Sequence, residues 1–162
     1  MKFIIHEDLE LYTSHGPLIV KKIFEVFETN SLQDDFLVAG FKYNSEYASK
    51  ITNMKMIYSN IGKIVKLTGQ GIHDVDIIVY PNQKFMDIAG KTISVENAKP
   101  GDMFVSLNGM IQVEYIGEKE FEEARIFYII EVENEKMNNL FCNNVIFLCH
   151  EAGENNNSFF TE

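Results

Sequence analysis

The chain has 162 residues, 46% of them hydrophobic, and a formal charge of −10. A chain of this length closes one core and buries about two-thirds of its unfolded surface, so one domain is expected over residues 1–151, followed by a polar, acidic tail, 152–162. The charge argues against a nucleic-acid partner, which would be held by clustered Lys and Arg, and no segment approaches the roughly 20 apolar residues of a membrane helix. His6, Glu7 and Asp8 interrupt the apolar run a signal peptide needs, so the expected location is cytoplasmic or virion-associated, with no secretion and no membrane contact. Thirteen lysines against the single Arg125, with 15 Asn, 19 Ile and no Trp, resemble coding from an AT-rich genome.

Along the chain, Leu18–Thr29 is the one helical candidate, because Ile19, Ile23, Val26 and Phe27 recur at three- and four-residue spacings; its β-branched residues favour one short turn over three. Runs rich in Ile, Val, Phe and Tyr then follow at intervals of about ten residues: Phe36–Tyr43, Ile51–Tyr58, Lys63–Thr68, Val75–Tyr80, Met103–Leu107, Ile111–Ile116, Ile126–Val132 and Val145–Cys149. Gly, Asn and Asp separate them, which is an all-β signature. Ser45–Ser49 reads as a brief turn. Asn108-Gly109 predicts a tight hairpin, since both residues accept positive φ. The tail AGENNNSFFTE is expected to be disordered unless Phe159 and Phe160 find a groove.

A weak internal repeat sets Gly16 three residues before Ile19 and Gly90 three before Ile93, each followed by a further apolar position, Ile23 and Ala98. Two related halves are expected if it is real.

Three blocks in order then resemble one family. Leu9–Ile23 is similar to an opening strand, glycine turn and "I-x-x-I" step. Gln83-Lys84-Phe85-Met86, Gly90 and Ala98-Lys99-Pro100-Gly101-Asp102 resemble "T-x-x-H-x-F…G…A-x-x-L-x-x-G-D". Phe127–Glu133 and Asn139–Val145 resemble "V-Y-D-L-x-V…N-x-F-x-x-N-G-I-x-V-H-N". Together they resemble the Hint domain of inteins and hedgehog autoprocessing modules across most of residues 3–151. The resemblance implies a compact, horseshoe-shaped all-β domain with pseudo-twofold halves and at most one or two short helical turns.

It also implies an acyl shift, and here the catalytic letters are replaced. Phe3, or a neighbour among Met1–Ile5, takes the place of the Cys or Ser nucleophile, and a phenyl ring cannot be made nucleophilic. With Met1 first, no upstream peptide is expected for release. Tyr80 takes the Thr position and Gln83 the block His position; Gln exchanges no proton near neutrality, which removes a factor of roughly 10²–10⁴. His150-Glu151 stands in place of the closing His-Asn, and Glu151 lacks the carboxamide nitrogen that cyclises.

Elsewhere, His6, His15, His73 and His150 show no metal-ligand spacing and read as surface or turn residues. Glu118–Glu123 reads as a solvated loop and Glu131–Glu135 as an alternating strand face. Gly62, Gly69 and Gly71 form no phosphate loop. Cys142 and Cys149 read as two buried free thiols on opposite faces of one strand. No cofactor, metal or catalytic residue is expected. The function expected is that of a non-enzymatic protein-binding module, for example an accessory component docking on a phage head, neck or tail protein. The alternatives are autoprocessing through Cys142 or Cys149, and an unrelated barrel or sandwich that binds a partner.

Overall fold

The computed structural model describes residues 1–42, 45–69 and 72–150. In chain order these form β1 (Lys2–His6), β2 (Glu10–Thr13), β3 (Gly16–Ile19), α1 (Val20–Glu28), β4 (Val38–Lys42), β5 (Ser45–Ser49), β6 (Ile51–Gly69), β7 (Ile72–Val79), β8 (Lys84–Met86), β9 (Thr92–Ser94), β10 (Met103–Ser106), β11 (Gly109–Val132), β12 (Asn139–Cys142) and β13 (Val145–Leu148). The expected all-β architecture is present, with one helix among the described residues. Its sheet path β5-β4-β2-β12-β13-β10-β11-β6-β7 does not close, as a horseshoe requires.

Two strands are far longer than their sequence suggests. Ile51–Tyr58 and Lys63–Thr68 are one strand, β6, and Ile111–Ile116 and Ile126–Val132 are one strand, β11. The pair stays in register except for bulges, the largest between Glu120 and Arg125. There the ring of Phe121 turns inward, Arg125 lies 4.8 Å over it, and Asn60 Nδ2 donates to its carbonyl. Glu118–Glu123 is therefore solvated strand and bulge, where a loop was expected.

The predicted hairpin joins β10 to β11, but its loop residues are Leu107 and Asn108, and Gly109 alone carries the positive φ, +120°. Ser45–Ser49 is a strand paired along β4, where a turn was expected. The helix runs nine residues, beyond the single turn expected. Burying Val20 and Ile23 contributes about 1.5–3 kcal/mol each, which outweighs a β-branched helix penalty of about 0.5 kcal/mol. Cys142 and Cys149 are both buried thiols outside a disulfide, but they do not share a strand. Asn143 and Asn144, with φ of 49° and 67°, reverse the chain between β12 and β13, so the odd-spacing argument does not apply.

The weak Gly16/Gly90 repeat is a structural one. His6 C=O accepts the Leu9 N–H at 3.1 Å, and Leu9 C=O accepts the Val20 N–H at 2.9 Å; Tyr80 C=O accepts the Gln83 N–H at 3.1 Å, and Gln83 C=O accepts the Val95 N–H at 2.7 Å. His6 and Tyr80, Leu9 and Gln83, and Gly16 and Gly90 share one spacing in sequence. Each half is a strand, a tight turn and a hairpin. β1 pairs with β11 and β7 with β6, while Leu11 of β2 pairs with Cys142 of β12 and Phe85 of β8 with Phe147 of β13. Both glycines turn at positive φ, 91° and 79°, which any side chain would strain.

Asn139 ties β12 to β4. Its Oδ1 accepts the Phe41 N–H at 2.5 Å and its Nδ2 donates to the Phe41 carbonyl at 2.7 Å, in a site 1% exposed. Removing the amide strips the Phe41 N–H and C=O of these partners and empties a site where Asn139 itself is buried, so Asn139→Ala is expected to lower stability by about 2–3 kcal/mol in urea unfolding. An unchanged midpoint would contradict that role.

Candidate functional site

The frame from Val79 to Asp102 begins with a turn. Pro81 presets φ, Asn82 sits at φ 73°, and the Gln83 N–H closes onto Tyr80, which delivers Gln83 into the core at 0% exposure. Gln83 Nε2 donates to the carbonyls of Lys84, at 2.7 Å, and Leu148, at 3.0 Å. Tyr80 sets its ring edge-to-face against Phe127 at 5.3 Å and against His150 at 6.1 Å. The His150 N–H donates to the Lys2 carbonyl at 2.7 Å. His150 thus meets the start of β1, with Tyr80 against its ring and Gln83 bonded to Leu148 two residues before it, and Phe3 follows Lys2 with its ring buried at 1% exposure. Glu151 lies outside the described residues, as do Gly71 and the tail with Phe159 and Phe160.

The rest of the frame is scaffold. Asp87 Oδ1 accepts the N–H groups of Ala89, at 2.8 Å, and Lys91, at 2.9 Å, fixing the turn at Gly90. Gly101, at φ 95°, donates to the Val113 carbonyl at 2.8 Å, and Asp102 Oδ2 accepts the Lys99 N–H at 2.9 Å. These bonds hold the approach to β10, whose Phe104 stacks on Phe85 at 4.4 Å.

Chemically the assembly offers little to a peptide bond. Phe3 carries no nucleophile, and the Gln83 amide nitrogen is committed to two carbonyls. Burial, helped by Lys84, pushes the His150 imidazole down to about 4, so it stays neutral and is a weak base at pH 7. Burial, then Glu10, holds the Cys142 thiol well above its ordinary value, leaving no thiolate. Cys142 also ends β12 at the hairpin tip, whereas His150 lies past the opposite end of β13, so the two do not form a nucleophile–base pair.

His6 is no surface residue. It is 2% exposed, its ring sits 5.2 Å from Phe127, and its Nδ1 accepts the Asp8 N–H at 3.3 Å. Burial lowers its pKa, Asp8 opposes that, and Arg125 adds to it. The shared spacing that equates His6 with Tyr80 was the available signal for its burial. His15 is exposed and stacks on Phe36 at 5.6 Å, and the side chain of His73 lies outside the described residues. Among the described residues, no three His, Cys, Asp or Glu side chains gather as a metal site, and no helix is long and apolar enough to cross a membrane.

No protein-family model and no curated protein matches this sequence. Solved structures do match in shape. A bacterial intein-like domain from Clostridium thermocellum is similar with a TM-score of 0.72 at 10% identity, over 91% of this chain and 99% of the other. The TvoVMA intein gives 0.70 at 12% identity, over 91% and 96%. A DnaB intein from Synechocystis sp. PCC 6803 gives 0.67 at 11% identity, over 93% and 100%. The molecule is a Hint-like domain by fold. Identities this low carry the architecture and leave the activity open.

Proposed function

We propose that this chain is a catalytically silent Hint-like module that acts by binding another protein. The observation that carries the reading is Phe3: the position expected for the nucleophile is filled by a ring 1% exposed and packed in the core. Restoring a reactive group there would remove core volume, so the position serves packing. Gln83 supports the reading, since its amide holds two carbonyls. Tyr58, Ile61 and Tyr115, each more than half exposed along the β6–β11 ribbon, offer apolar surface to a protein partner. A phage head, neck or tail protein is the partner class that suits a small acidic chain of AT-rich coding.

Incubated with thiol for days, the chain and its Cys142→Ala/Cys149→Ala variant should each keep a single full-length mass. A discrete product that forms in the first and not in the second would establish autoprocessing instead. Co-purification from the native source should return a protein in fixed stoichiometry.

A further inference from the structure

Unpartnered buried polar atoms gather around one seam of the described structure. They are His6 Nε2, Gln83 Oε1 and both ring nitrogens of His150. His6, Phe127, Tyr80 and His150 follow one another ring against ring, at 5.2, 5.3 and 6.1 Å, so an imidazole stands at each end of one aromatic row. The His150 N–H donates to Lys2 C=O, which fastens it to β1, and the Cys149 N–H donates to Asn138 C=O at 2.9 Å, which fastens Cys149 to the approach to β12.

A proton on His150 would create a cation with two donors and no acceptor for either among the described residues. Among the described residues, the elements packed around it offer no compensating anion. β1 brings Lys2 and β8 brings Lys84, the Tyr80 turn brings a phenol and the uncharged Gln83, and the approach to β12 brings Asn138 and Asn139. Glu131, opposite Lys2 on β11, accepts from Asn53 Nδ2 at 3.2 Å. Glu151 lies outside the described residues.

We propose that His150 is an acid-operated latch: neutral, it holds the main chain at Cys149-His150 against Lys2 and Tyr80; protonated, it leaves that seam and opens its bond to Lys2 while the core stays folded. The low proton affinity that burial and Lys84 give it sets the working range below pH 6.5, down to about 4. Position separates it from His6. The exit of His150 breaks one main-chain bond and one ring contact, whereas His6 is held inside β1, paired with Phe127.

Amide exchange on the full chain tests this, with the intrinsic pH dependence of exchange removed. From pH 7 to pH 4, protection of the His150 amide should fall at least tenfold further than that of Val65 and Phe147. His150→Phe, which keeps a ring and takes no proton, should abolish the fall; His150→Gln serves where phenylalanine does not fit. Equal protection at both pH values, the same fall in both variants, or core amides falling in step with His150 would each overturn the latch.

Discussion

Phe85→Ala should lower the unfolding free energy by about 3–5 kcal/mol and the melting temperature by roughly 10–15 °C. Phe85 is 0% exposed, stacks on Phe104 with ring planes 10° apart and meets Phe147 edge-on at 5.0 Å. It joins three layers at once: the second repeat through β8, the closing hairpin through β13, and β10. Truncation leaves a void among rings that cannot collapse into it, so transfer and cavity terms both count. Phe85→Leu keeps most of the volume and should cost less than about 1.5 kcal/mol. A loss under 1 kcal/mol for the alanine variant in urea unfolding would show that this ring cluster does not carry the core.

Acid should weaken the fold through its buried imidazoles. The His150 pKa drops from 6.5 unfolded to about 4 folded, so below pH 6.5 the unfolded chain takes up the proton first. Stability is therefore complete above about pH 6.5, falls as the pH drops towards 4, and levels off below that. At about 1.4 kcal/mol for each pH unit, the loss would reach about 3 kcal/mol if His150 stayed in its site throughout. His6 acts with the same sign. Local release of His150 caps its share, because a residue that leaves its site titrates normally. Denaturant unfolding from pH 7.5 to 4 should show the decline, and His150→Phe should recover most of it. A flat profile in the parent chain would mean that His150 is solvated.

Much of the architecture is legible from turn chemistry. Gly16, Gly90 and Gly101 stand where the backbone needs positive φ, and Phe85 with its apolar neighbours marks the strand that enters the core. The long ribbon is hidden because Asn60, Gly62 and the run Glu118–Glu123 look like chain breaks, yet Gly62 and Glu118–Glu120 stay paired, a bulge absorbs Asn60 and Phe121–Ala124, and the ladder resumes where Arg125 meets Ser59. β5 is hidden because a polar strand can be held by pairing rather than by apolar pattern. At the site, Phe3 and Gln83, which the resemblance sets in the nucleophile and base positions, are legible in the sequence, as is the apolar or uncharged character that suits their burial. The aromatic row from His6 to His150 is not, since its members are distant in sequence and meet only through the β1–β11 and β6–β7 pairings.

A fusion decides whether the proposed Hint-like scaffold lacks its reaction. One reporter domain is placed before Met1 and another after Glu162, and the protein is incubated with thiol and with hydroxylamine, which intercepts any ester or thioester. Intact mass should show one species, the uncut fusion, at every time point. A product cut at the Met1 junction, at His150-Glu151 or after Glu162 would contradict the claim.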